Sequence, residues 1–370
     1  MAPQPNIEQY APVLGPRVAP AFLDFHQREA DTLPLEDEVP EFLPTFIFPE
    51  HLRERYVLDL EQGTFRCRAS LEDILKFSDI TGDHNIVHTD PNPYTNRAIV
   101  QGNLIASLAE HLITGYFDRH HFEKVNTYFD EHHAWIPKPL RRLFSWFAIR
   151  NKYMSYLKYK FKDKFFADEE LEFQIDADSF KFEKNTDENC QFTVRCDLVH
   201  VKNREMALAK GMRYSPSTIT VKYDLVLPKS PSLQEVAPGE PLCTDEVTLS
   251  EEDYRVFQRM IGSSADNLPV MYPVVSTNSR ILLKRQTELE AAGEKHFGTG
   301  IYSFYIVNLF RGARKVNIGD TLKSFYFPGS KDTDRMQDVI LYVTNADEKV
   351  LYKFKAPILL LPVPDPTKVN

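Results

Sequence analysis

The chain has 370 residues, 42% hydrophobic and 12% aromatic, with a formal net charge of −9. That length holds one large domain or two ordinary ones, and that apolar content supports a real core, which excludes wholesale disorder. The acidic balance excludes a general nucleic-acid binder, and no apolar run approaches the roughly 20 residues of a membrane span.

Residues 1–50 carry prolines at 3, 5, 12, 16, 20, 34, 40, 44 and 49. Such density suppresses regular helix and strand, so an extended arm is predicted, laid on the body through Tyr10, Phe22, Phe25, Phe42, Phe46 and Phe48, with a purely disordered tail as the alternative. Tyr56 to Arg68 reads as strand. Ser70-Leu71-Glu72-Asp73 has the form of an N-terminal capping box, and Leu71, Ile74, Leu75 and Ser78 follow one helical face up to Gly82.

The next stretch, Gly82-Asp83-His84-Asn85-Ile86-Val87-His88, sets a carboxylate and an imidazole five positions apart on short backbone. Gly82 supplies a residue able to take positive φ at a helix end, and Asp83 and Asn85 can bond their own backbone. Asp83 and His88 read as an acid/base pair at the mouth of a pocket, with Asn85 as a brace for the loop. Gly102 to Phe117 then shows a broad apolar stripe at helical spacing, the mark of a nearly buried helix.

Between 118 and 151 stand His120-His121 and His132-His133. Adjacent histidines point apart on helix or strand and no cysteine is near, so a solvated surface role outweighs a metal site and no metal is expected. From Arg141 to Lys164 there are eight Lys or Arg and one acidic residue, Asp163. The run is either a solvated face or a cationic surface for phosphates, an acidic carrier protein or a membrane face. Tyr153–Phe161 alternates as a half-buried strand, Glu170–Phe182 and Cys190–Val201 are further strands, and Ala207–Tyr214 closes the unit. The Pro- and Ser-rich stretch from Pro228 to Pro241 reads as a linker.

After the linker the first unit recurs. Ser250 to Gly262 matches Ser70 to Gly82 at constant spacing, with Ser, Asp, Phe and Gly superposed. At that spacing Asp83 becomes Ser263 and His88 becomes Leu268, so the second copy has lost the pair. The later strands match at a shorter spacing, which places about 30 extra residues in the first copy, within the His-rich and cationic segment.

Gly82 to Pro91, followed by Val100-Gln101-Gly102-Asn103-Leu104-Ile105-Ala106-Ser107-Leu108, resembles the signature of MaoC-like, R-specific enoyl-CoA hydratases and dehydratases. The resemblance spans roughly 55–362 and is strongest at 77–108. It departs from the family at Ile86, where Pro is usual, and at Gln101, where His is usual. It implies an α+β fold of two fused hot-dog domains, the second degenerate. The expected division is a wrapping arm at 1–50, a catalytic domain at 51–216 with an insertion at 118–151, a linker at 217–245 and a second domain at 246–365. It further implies Asp83 and His88 as the catalytic pair and the Gly102 N–H as donor to the thioester oxygen.

The activity so implied is reversible hydration of trans-2-enoyl thioesters and dehydration of (R)-3-hydroxyacyl thioesters, a hydro-lyase reaction without a cofactor. An imidazole suits it because its ordinary pKa, about 6.5, lies near neutrality. The substrate would be an acyl-CoA or acyl-carrier-protein thioester. A specialised dehydratase or thioesterase-like enzyme of polyketide or lipid biosynthesis stays open, as does a non-catalytic acyl-thioester binder. Cys67, Cys190, Cys196 and Cys243 show no CxxC spacing and no secretory leader is visible, so a cytoplasmic monomer or homodimer is expected.

Overall fold

Two stretches of chain run through the same order of strand, short helix, long helix and further strands, and their strands meet in one antiparallel sheet. The computed structural model describes residues 7–29, 56–59, 63–185, 189–261, 270–294, 298–302, 304–333 and 335–364. Before the first half comes α1 (Ala19–Glu29). The half itself holds β1 (Tyr56–Asp59), β2 (Thr64–Arg68), α2 (Leu71–Thr81), α3 (Gly102–His132), α4 (Lys138–Arg150), β3 (Tyr153–Lys160), β4 (Glu170–Asn185), β5 (Asn189–His200), α5 (Val201–Ala209) and β6 (Ser217–Asp224). A short α6 (Leu233–Val236) leads to the second half. There follow β7 (Cys243–Thr248), α7 (Glu251–Ile261), α8 (Met271–Ala291), β8 (Thr299–Tyr302), β9 (Phe304–Leu309), β10 (Thr321–Thr333), β11 (Met336–Thr344) and β12 (Val350–Leu361).

The sheet order is β1-β2-β4-β5-β6-β3-β9-β12-β11-β10-β7, with β8 paired to β12. Read outward from its middle, the order repeats: β3, β6, β5, β4 and β2 on one side match β9, β12, β11, β10 and β7 on the other. The seam is the β3–β9 pair, where Leu157 faces Val307 and Tyr159 faces Tyr305. Two hot-dog units thus share one sheet.

Inward-facing strand residues such as Leu157, Tyr159, Val194, Ile219, Val307 and Phe354 are all fully buried and share one core with α3 and α8. The outward positions of β3 are Lys158 and Lys160, so the period-2 pattern sets which face is dry. Helix α2 begins as its sequence requires: Asp73 N–H donates to Ser70 Oγ at 3.1 Å, and Ser70 N–H donates to Asp73 Oδ2 at 2.9 Å. It ends at Gly82 with φ of 70°.

Several expectations are corrected. The arm is not extended throughout, because α1 forms in it. Pro20 falls in the first turn of that helix, where a missing N–H costs nothing. Phe22 and Phe25 pack on Phe144 and Phe147 of α4, at ring separations of 4.6 to 5.4 Å. Residues 30–55 lie outside the described residues. Tyr56 to Arg68 is a hairpin turning at Gly63 (φ 62°), not a single strand.

The first unit does not close at Ala207–Tyr214, whose first three residues are the end of α5. It closes at β6, which the sequence reading assigned to the linker. Ser217, Ile219, Val221 and Tyr223 are buried while Thr218, Thr220 and Lys222 face outward. Pro216 therefore marks a strand start rather than a domain end. The connection that follows lies on the outer face of the second half, where Leu233, Val236 and Ala237 pack on Phe327, Tyr342 and Val350.

The extra residues of the first copy are also more spread out than expected. Twenty residues (82–101) separate α2 from α3, against nine (262–270) between α7 and α8, while α3 runs on to His132 and α4 follows. The histidine pairs divide: His121 is fully buried and stacks on Phe180 at 4.2 Å, while His132 is exposed, as expected, and stacks on Tyr128 at 4.5 Å.

Candidate active site

Helix α2 delivers Asp83 one residue beyond its left-handed cap. Gly82 has no alternative there, since its φ is positive and an added Cβ would lie 2.7 Å from Arg280 Cγ of α8. A 3₁₀ turn, Ile86–His88, then brings His88 back toward Asp83. His88 Nε2 stands 3.8 Å from Asp83 Oδ2, with the two side chains 11% and 18% exposed. His88 Nδ1 lies 2.6 Å from the Ile99 carbonyl oxygen. A carbonyl only accepts, so Nδ1 carries a hydrogen, and Nε2 is the ring nitrogen turned toward Asp83.

The loop is held from two sides. Asn92, fully buried, donates to the carbonyls of Val87 and Arg97 and accepts from Tyr94 N–H and Thr95 N–H. Asn85 accepts from Val87 N–H and donates to the Gly300 carbonyl of β8 at 2.9 Å, while the Thr299 hydroxyl donates to Asn85 Oδ1 at 2.7 Å. The second half thus braces the loop that carries Asp83 and His88.

Asp83 and His88 open on a cavity of about 280 Å³ between the halves. Gly102, the first residue of α3, lies in its wall. An added Cβ at Gly102 would come 2.5 Å from the Phe161 ring, so that ring closes over the helix start. The opening N–H groups of α3 have no intrahelical partner and mark the positive end of the helix dipole. Beyond them the cavity runs along α8 past Leu282, Leu283 and Leu289, facing Tyr302, Tyr326 and Ile358. Burial and then the Asp83 charge push the Tyr302 phenol well above its usual range, which sets Tyr302 close to the pair. Gln101 serves packing instead: it is fully buried and donates to the Ile74 carbonyl and Ser78 Oγ, both at 2.8 Å.

The second half has the corresponding helix start and closes it. Glu110 of α3 is buried, and its carboxylate accepts from Val270 N–H at 3.0 Å and Met271 N–H at 2.9 Å at the head of α8. Burial pushes its carboxyl up to about 7 against the pull of those two bonds. One helix start therefore faces the cavity and the other is filled by a side chain. Ser263 and Leu268, the counterparts of Asp83 and His88, lie outside the described residues.

No protein-family model matches the chain, and no curated protein matches it in sequence. Among solved structures it is similar to a MaoC-like dehydratase from Phytophthora capsici, at 9% identity over 82% of this chain and 98% of that one, with a TM-score of 0.46. A Mycobacterium tuberculosis protein described as a double hot-dog is 12% identical over 80% of this chain and 93% of that one, TM-score 0.46. An acyl-ACP thioesterase from Bacteroides thetaiotaomicron is 10% identical over 81% and 100%, TM-score 0.41. The likeness is one of fold.

The structure divides the basic stretch 141–164. Arg141 pairs with Asp130 at 2.6 Å and Arg150 lies over Trp146, while Lys158 and Lys160 point off the sheet. Only Lys162 and Lys164 reach the cavity. The structure brings Asp83, Asn85, His88 and Gly102, singled out from the sequence, to one cavity, while Asn92, Phe161, Tyr302 and Glu110 were not singled out. A buried acid at position 110 has no local signal, because its partners are 160 residues away.

Proposed function

We propose that the chain hydrates trans-2-enoyl thioesters and, in reverse, dehydrates (R)-3-hydroxyacyl thioesters. The observation that carries this is the 3.8 Å gap between His88 Nε2 and Asp83 Oδ2 in the wall of a cavity that also holds the Gly102 helix start. A water at ordinary hydrogen-bond distance from both atoms fits that gap. His88 Nε2 takes one of its protons, Asp83 accepts the other hydrogen bond, and the oxygen bonds to C3. The C2–C3 π electrons move toward the thioester oxygen, where the Gly102 N–H and the helix dipole stabilise the developing negative charge. His88 then returns its proton to C2, so water adds across the double bond with no net change in the enzyme. The carrier of the thioester is coenzyme A or an acyl-carrier protein, with Lys162 and Lys164 at the mouth suited to its phosphates.

The test is loss of enoyl absorbance with crotonyl-CoA and longer enoyl-CoAs, for wild type, Asp83→Asn and His88→Ala. Wild type is expected to turn over and each variant to lose about a hundredfold or more in kcat/KM. Release of free coenzyme A without addition of water would assign thioester hydrolysis instead. A folded wild type inert on every chain length would remove the hydratase reading.

A further inference from the structure

The turn that joins β5 to β6 runs 201–216, whereas its counterpart between β11 and β12 in the second half runs only 345–349. The added length folds as α5, and no residue of that helix is buried. Its end is well closed: Met212 N–H donates to the Ala207 carbonyl at 2.8 Å and Gly211 N–H to the Leu208 carbonyl at 2.9 Å. A closed helix that buries nothing adds little to the core, so its use lies on its surface.

That surface borders the cavity mouth. Asn203 Nδ2 donates to Asp163 Oδ1 at 3.1 Å, the Tyr214 hydroxyl donates to Asp163 Oδ2, and Lys162 N–H donates to Ser217 Oγ at 2.8 Å. Lys162, Asp163 and Lys164 line the cavity, and both lysines are exposed. On the opposite flank Arg204 turns away to Glu172 at 2.9 Å. Lys202, Met206 and Lys210 are spaced four apart, so they run together down the flank that Asn203 turns to Asp163. Lys202, Lys210 and Arg213 are exposed, and neither they nor Lys162 and Lys164 form an ion pair among the described residues. Glu205 is the one acidic residue between 201 and 216, in a chain whose net charge is −9. Beside these cations Met206 is 44% exposed and Met212 60%.

We infer that α5 and the turn after it dock an acidic carrier protein, which presents its thioester to the cavity on a flexible arm. The inference rests on the hydration reading above and selects a protein rather than coenzyme A as the carrier. Lys202 and Lys210 stand about 12 Å apart along the helix, with Met206 between them. A row of that length and make-up suits a protein face of carboxylates and apolar side chains better than the phosphates of one nucleotide. A bilayer is the poorer fit, because α5 is nine residues long and its charges interrupt any continuous apolar face that could insert.

The experiment offers the crotonyl thioester of a purified acidic acyl-carrier protein, and crotonyl-CoA, to wild type and to the double variants Lys202→Glu/Lys210→Glu and Lys202→Gln/Lys210→Gln. The Kd of the unreactive butanoyl thioester on each carrier is measured in parallel. Wild type is expected to bind the carrier-protein thioester about tenfold more tightly than the coenzyme A thioester, and added salt is expected to narrow that gap. Charge reversal is expected to raise KM and Kd for the carrier protein about thirtyfold at unchanged kcat, and neutralisation about fivefold, while crotonyl-CoA kinetics stay within about twofold. Equal losses on both carriers overturn the inference and assign the cations to nucleotide phosphates, and unchanged values on both overturn it outright. Binding to phosphatidylglycerol–phosphatidylcholine vesicles that charge reversal abolishes, with carrier-protein kinetics untouched, overturns it in favour of a membrane surface. An enzyme inert on both thioesters removes the hydration reading, whereas the Kd values still decide whether α5 docks the carrier protein.

Discussion

Asn85 in the first half donates to the main-chain carbonyl of Gly300 in the second, 2.9 Å away and across the cavity mouth. With the Thr299 hydroxyl bonded to its other end, this one amide ties the loop that carries Asp83 and His88 to β8. Asn85→Ala is expected to lower stability by about 2 kcal/mol, since it leaves the Gly300 carbonyl and the Thr299 hydroxyl without their partner. Activity is expected to fall about tenfold to a hundredfold, because small misplacements of reacting groups are costly. Chemical denaturation and crotonyl-CoA kinetics on the same variant check both. Lost stability with full activity would show that the loop keeps its geometry without the tether.

The part of this site that was legible in the sequence is the part built from neighbours in the chain. Ser70 and Asp73 announce α2, Gly82 ends it, and Asp83, Asn85 and His88 follow within a few residues, each with a local physical reason for its type. The repeat was legible because a second Ser-x-x-Asp opened a second short helix. Contacts between distant parts of the chain have no such signature. Phe161 over Gly102, Glu110 on the head of α8 and Ser279 beside Asn103 join residues far apart in sequence, and tertiary packing alone brings them together. β6 was misplaced for a related reason: Pro216 and the Pro-rich stretch beyond it outweighed the alternation from Ser217 to Tyr223.

Glu110 makes stability depend on pH. Its folded-state carboxyl titrates at about 7, above the 4.5 expected of the unfolded chain. Between those values the folded state binds more protons, so stability falls as pH rises and levels off above the upper one. The contribution amounts to about 3 kcal/mol across that window. Glu110→Gln keeps an acceptor for the α8 N–H groups but cannot ionise. The difference in unfolding free energy between wild type and Glu110→Gln, followed from about pH 4.5 to pH 8, is expected to shift against wild type by that amount. Parallel curves would show that the carboxyl is not held in this environment.

At Gly102 the sign of a substitution is the measurement. Alanine in place of glycine within a helix ordinarily stabilises by about 0.5–1 kcal/mol. Here the added Cβ would lie 2.5 Å from the Phe161 ring. That ring has little room to yield, being packed on Tyr159 at 3.8 Å and Tyr305 at 5.8 Å between centroids. Overpacking of this kind costs about 1–3 kcal/mol, so Gly102→Ala is expected to lower Tm in the wild-type background. In a Phe161→Ala background the obstacle is gone, and the same substitution is expected to be neutral or stabilising. Destabilisation of equal size in both backgrounds would mean that Gly102 is required for its backbone and not for the ring above it.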